Sequence, residues 1–342
     1  MNSRERFLAA LRGEATDRAS VFSANQTGTY ELMDATGAEW PEAHQKAEPM
    51  AKLAAGAHTI IGFDAVRVPY CQTFESEALG SLVKYAGREG VPRIHEHGYK
   101  IGDPISYPDD FLERGRIPEL IKAVKLLKEQ VGDSAAVGGN IVGPFSIAAN
   151  LLGITDVLKA SFKKPESLEP YLEVAERAGT ELGKALLEAG ADFLVIEDMM
   201  ASIDVISPPI FQKVAQPWEK RQVDGLPSDA LTIIHICGKV NPITKLIAET
   251  GATAISVEPS VDAPAMKEIL SEFDRPIPLI GGVDAVETLF SGTTDTVRVD
   301  VEKALADGYD MIAPGCSIPP SATNEILKTM VEAAEEAALA KK

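Results

Sequence analysis

Eight short runs of β-branched and apolar residues, separated by longer stretches with helical spacing, constrain this chain more than any other feature. They are ASVFSAN (19–25), DAVRVPYC (64–71), AAVGGNIVG (135–143) and DFLVIEDM (192–199) in the first half. The second half supplies LTIIHICG (231–238), TAISVEP (253–259), IPLIGGVD (277–284) and YDMIAPGC (309–316). Strands that alternate with helices read as βα units around a parallel sheet, and eight of them point to a (β/α)8 TIM barrel. A doubly wound sheet is the other way to use such units, but the first βα turn carries no GxGxxG fingerprint. Residues 1–18 read as an N-terminal helical extension. Residues 80–115, rich in Gly, Pro and charge, are too long for a plain barrel loop and read as an excursion after the second strand, carrying a hairpin or lid. No linker or repeat divides the chain, so residues 1–342 are expected to form one domain.

The formal net charge of −18 argues against non-specific nucleic-acid binding and against an anionic membrane surface, both of which need a basic face. The N-terminus lacks a signal-peptide core, and no later segment is apolar for the length of a membrane span. Cys71, Cys237 and Cys316 are too few and too dispersed for a disulfide framework and fit reduced thiols. A cytoplasmic protein is the expectation.

Within LTIIHICG, a histidine and a cysteine stand two residues apart in a run otherwise built for a core. Side chains alternate along a strand, so His235 and Cys237 are expected on one face and Ile234 and Ile236 on the other. Cys316 ends the eighth strand, and active sites of this fold gather where the strands end. One imidazole and two thiolates make a zinc set, with Glu258 of ISVEP as a local candidate for the fourth position. Free cysteine is also a common core residue, and a strand histidine can be a satisfied core group. Ligands drawn from distant strand ends suggest an open, working metal rather than a closed structural one. Two thiolates make zinc a weak activator of water but a good host for another thiol, so thiol alkylation is the chemistry that fits best. Cys71 has no such partners and reads as packing or pocket lining.

The H-x-C motif at 235–237 with the distant Cys316 resembles the zinc pattern of the methylcobamide:coenzyme M methyltransferases of methanogens, in the uroporphyrinogen decarboxylase-like superfamily. RERFLAALRGEATDR (4–18), NQTGTYELMDATGAEWPEAH (25–44), AVRVPYC (65–71), LERGRIPE (112–119), GPF (143–145) and APGC (313–316) are similar to that group too. The resemblance implies zinc on His235, Cys237 and Cys316, with Glu258 as a displaceable ligand. It implies methyl transfer from a methyl-Co(III) corrinoid, carried on a small partner protein, to the thiol of coenzyme M in methanogenesis from methylated compounds. Asp198 matches an aspartate of the relatives, which implies a role in orienting a ligand or touching the corrinoid or thiol; a helix cap is the plain alternative, and Glu197 is expected to point the other way. Gln26 is a candidate pocket residue. Arg67 is a candidate for the sulfonate of coenzyme M or, equally, for a structural ion pair. The decarboxylase itself uses first-strand arginines, and VFSANQTG (21–28) has none. Two other readings stay open: a corrinoid methyltransferase with tetrahydrofolate or another thiol as acceptor, and a non-catalytic zinc or corrinoid-protein binding partner.

Overall fold

A computed structural model describes residues 1–340. All eight expected strands are present as one parallel sheet. In chain order the strands are β1 (Ser20–Val21), β2 (Ala65–Val68), β3 (Leu82–Lys84), β4 (Arg93–Glu96), β5 (Ala136–Val142), β6 (Phe193–Glu197), β7 (Thr232–His235), β8 (Ala254–Ser256), β9 (Leu279–Val283) and β10 (Met311–Pro314). The sheet order is β1-β10-β9-β8-β7-β6-β5-β2, while β3 and β4 pair only with each other, as an antiparallel hairpin inside the 80–115 excursion.

Closure between the end strands β1 and β2 rests on Asp64. Its backbone N–H donates to the Val21 carbonyl at 2.8 Å, and its carboxylate accepts the Val21 N–H at 2.8 Å. The same carboxylate takes Arg6 at 2.8 Å and Arg18 at 2.7 Å, so a fully buried charge has two cationic partners.

Alternation sorts each strand into an inner and an outer face. Phe22, Ala65, Ala136, Phe193, Val195, Ile233, Ala254, Ile280 and Met311 form one buried cluster, and Phe7, Leu8 and Leu11 of the first helix (Ser3–Leu11) complete it. Phe7 lies 4.8 Å from the Phe22 ring and 4.5 Å from the Phe193 ring. That helix therefore plugs the N-terminal end of the barrel. Gly138 makes room for the plug, because a Cβ there would stand 2.4 Å from the Phe193 ring. Ile234 and Ile236 belong instead to the outer cluster, packed with the surrounding helices. Among the described residues no single helix is long and apolar enough to cross a membrane.

Candidate metal centre

Three strands, the neighbours β7 and β8 and, beyond β9, β10, deliver the sulfur and oxygen donors by the same rule. The β7 ladder ends at His235, β8 at Ser256 and β10 at Pro314, and Cys237, Glu258 and Cys316 each lie two residues beyond. Cys237 is thus in the loop that follows the strand, not inside the strand as the 231–238 run suggested. One ligand atom from each of the three residues lies within 4.8 Å of the other two. His235 stands one layer deeper and is fully buried, with Nε2 3.4 Å from the Cys237 sulfur and Nδ1 3.0 Å from Ser256 Oγ. The parallel register pairs His235 with Ser256, which is why that hydroxyl can fix the ring.

Two glycines make the convergence possible. A Cβ at Gly315 would meet Pro259 Cδ at 2.3 Å and the Glu258 Cα at 2.8 Å, so only glycine lets the Cys316 segment approach the Glu258 segment. Gly238 has φ +82°, and a Cβ there would stand 2.1 Å from Asp204 Oδ2. The chain therefore turns sharply after Cys237, against the 202–204 loop.

The electrostatics are those of a donor set lacking a counter-charge. Burial, with the nearby Arg67 charge, pushes His235 down to about 4, so near neutral pH the imidazole is uncharged and keeps a lone pair for a cation. A hydrogen bond from Cys237 holds the Cys316 thiol below its ordinary value, while that same bond and burial drive Cys237 up. The two sulfurs resist becoming thiolates together, because a second negative charge beside Glu258 and Glu197 is unfavourable. A divalent cation would relieve that repulsion, and one imidazole, two sulfurs and one carboxylate suit tetrahedral zinc.

Beside this cluster lies a cavity of about 250 Å³, lined by Gln26, Arg67, Gln72, Arg93, Glu197 and Ser317 among others. Arg67 and Glu197 are both buried and pair at 2.9 Å. Arg67 also donates to the carbonyls of Asn25 at 3.0 Å and Pro69 at 2.7 Å, which leaves two of its five N–H groups without a partner among the described residues. Arg67 thus forms the structural ion pair that is one of its two readings, and it lines the cavity as well. Glu197 also accepts from Asn25 Nδ2 at 3.1 Å and from the Gln72 amide. Gln26 lines the cavity and clamps the segment after Cys316: its carbonyl accepts the Ile318 N–H at 3.1 Å, and its side-chain amide donates to the Ile318 carbonyl. Cys71 lines the cavity as well, 3.6 Å from an Arg116 nitrogen.

Asp198 and Glu197 do point opposite ways, but Glu197 is the one that faces the cavity. The Asp198 carboxylate is fully buried and accepts the Phe145 N–H at 3.2 Å, the Ser146 N–H at 2.8 Å and the Ser146 hydroxyl at 2.6 Å. It caps the start of the helix Pro144–Leu152, and among the described residues none of its side-chain hydrogen bonds goes to His235, Cys237 or Cys316. The signal that would have found Glu197 is register, since β6 pairs it with His235.

A family model described as uroporphyrinogen decarboxylase (URO-D) matches residues 2–337. The chain is 37% identical over 333 residues to a methylcobamide:CoM methyltransferase of Methanosarcina barkeri, with 97% of each chain covered. It is 36% identical over 335 residues to a methylcobamide:CoM methyltransferase of Methanosarcina mazei, again with 97% of each covered. A solved structure described as a methyltransferase from Methanosarcina mazei superposes with a TM-score of 0.93 at 37% identity, covering 98% of this chain and 99% of that one. The chain belongs to the uroporphyrinogen decarboxylase family, in its methylcobamide:CoM methyltransferase branch.

Proposed function

We propose that this chain is a zinc-dependent methyltransferase that moves a methyl group from a methyl-Co(III) corrinoid, carried on a small partner protein, to the thiol of coenzyme M. The observation that carries the reading is the convergence of Cys237, Glu258 and Cys316 within 4.8 Å, beside an uncharged His235. Zinc held by His235, Cys237 and Cys316 would lower the pKa of an incoming thiol and keep it a useful nucleophile. Glu258 reaches the cluster from a partly exposed position, which suits a ligand that yields its place to the substrate.

The protein's own groups supply the rest. Ser256 fixes the His235 ring, Gln26 holds the Cys316 segment, and the Arg67–Glu197 pair keeps the cavity floor rigid and close to neutral. In the transfer, a sulfur electron pair forms the S–CH3 bond while the Co–C bond breaks, its electrons leaving as Co(I). Sulfur, carbon and cobalt must lie nearly in line, so the mouth has to admit the corrinoid face while excluding water. The hairpin β3–β4 borders the cavity through Val91 to Ile94 and is suited to act as a lid. A cytoplasmic setting and a role in methanogenesis from methylated compounds belong to the same proposal.

The test is to incubate metal-analysed protein with methylcobalamin and, separately, coenzyme M, homocysteine or tetrahydrofolate, following loss of the methyl-cobalt absorbance. Coenzyme M is expected to react fastest. Transfer to folate with none to coenzyme M would contradict the proposal, and tight zinc binding with no transfer to any acceptor would favour a binding-only role.

A further inference from the structure

Arg67 is paired with Glu197 and the chain as a whole carries −18, so a second cation would strengthen the hold on an anionic substrate in this cavity. The cavity lining contains one, Arg93 at the start of β4. Among the described residues its side chain has neither an ion pair nor a hydrogen bond, in contrast to Arg88 on the same excursion, which pairs with Asp34 and Glu39. The antiparallel register places Lys84 of β3 directly opposite Arg93, on the same face of the ribbon, and Lys84 is likewise without a carboxylate. Both side chains are exposed, and of the two only Arg93 lines the cavity. Ser317, the residue after Cys316, lines the same cavity, so the cavity runs from beside the sulfur cluster to the hairpin.

We propose that Arg93 receives the sulfonate of the acceptor thiol, so that the β3–β4 hairpin sets acceptor specificity. This rests on the reading of coenzyme M as acceptor. A guanidinium matches a sulfonate through paired N–H donors, and a two-carbon thiol sulfonate keeps its reacting sulfur and its anionic end within a single small cavity. Arg93 is a positioning residue here, remote from the sulfur that reacts.

The test compares wild type with Arg93→Gln and Arg93→Lys, all zinc-reconstituted. Calorimetry would follow binding of coenzyme M, of S-methyl coenzyme M, which keeps the sulfonate but has no free thiol, and of 2-mercaptoethanol, which has the thiol alone. Arg93→Gln is expected to weaken both sulfonates about tenfold or more and to leave 2-mercaptoethanol within about twofold, with Arg93→Lys intermediate. In turnover with methylcobalamin, KM for coenzyme M should rise while kcat holds. Unchanged sulfonate binding, or an equal loss for 2-mercaptoethanol, would overturn the assignment. Failure of wild type to methylate any thiol would instead sink the acceptor reading, while the binding contrast between the two sulfonates and 2-mercaptoethanol still decides the role of Arg93.

Discussion

The two ends of this barrel are built on opposite principles. At the N-terminal end the first helix closes the interior with Phe7 against Phe22 and Phe193, and the buried Asp64 is matched by Arg6, Arg18 and a backbone N–H. Apolar surface is covered there and the buried charge is paired. At the other end, β7, β8 and β10 press two sulfurs and a carboxylate together with no cation among them, and the hairpin sets Arg93 opposite Lys84. One end is filled by the protein's own side chains, whereas the other gathers sulfur and oxygen donors at its mouth, in keeping with the division of labour in this fold.

The contrast breaks most sharply at the sulfurs. Cys237→Ala and Cys316→Ala should each lose zinc and roughly a thousandfold or more of methyl transfer, since the metal activates the thiol nucleophile. Urea midpoints of the metal-free variants should match metal-free wild type. Retention of full zinc by both would refute the site. At the opposite end, Phe7→Ala should cost about 3–5 kcal/mol of stability in the same urea titration, because it empties the centre of the plug. Its kcat per folded molecule should stay within about twofold, and a large loss of turnover would show that the ends are coupled.

A smaller effect tests a dry flank of the mouth. His44 is fully buried beside Trp40 and Tyr70, neither ring nitrogen has a partner among the described residues, and burial, with the Arg116 charge, pushes it down to about 3. The unfolded chain takes up a proton below about pH 6.5 that the folded protein refuses, so this contribution is intact above that pH and is lost as pH falls toward 3. Between pH 6.5 and 5 the loss should be about 2 kcal/mol, and His44→Phe should flatten that slope. Smaller still, Gln26→Ala should weaken zinc affinity about tenfold in a chelator competition, by releasing the segment after Cys316. No change would mean that Gln26 only fills space.

The strands were legible because branched apolar runs of this length, separated by helical spacing, leave few alternatives. The His-x-Cys pair and the distant Cys316 were legible because strand parity and barrel topology bring them to one mouth. The parity of β6 was not. Phe193 to Ile196 are apolar on both faces, as parallel strands buried on two sides require, so the sequence does not say which parity faces inward. The inward turn of Glu197 and the capping by Asp198 therefore appear only once register is known. The ion pair of Arg67 joins residues 130 positions apart, and no local pattern announces it. The barrel plug was visible only as a helix, since what Phe7 packs against is a matter of tertiary contact.

The proposed mechanism requires zinc that exchanges an oxygen donor for the sulfur of its substrate. X-ray absorption at the zinc edge, with and without saturating coenzyme M, reads this directly. The expected change is from two sulfurs, one nitrogen and one oxygen, as supplied by Cys237, Cys316, His235 and Glu258, to three sulfurs and one nitrogen. A sulfur count that stays at two while coenzyme M is being methylated would contradict it.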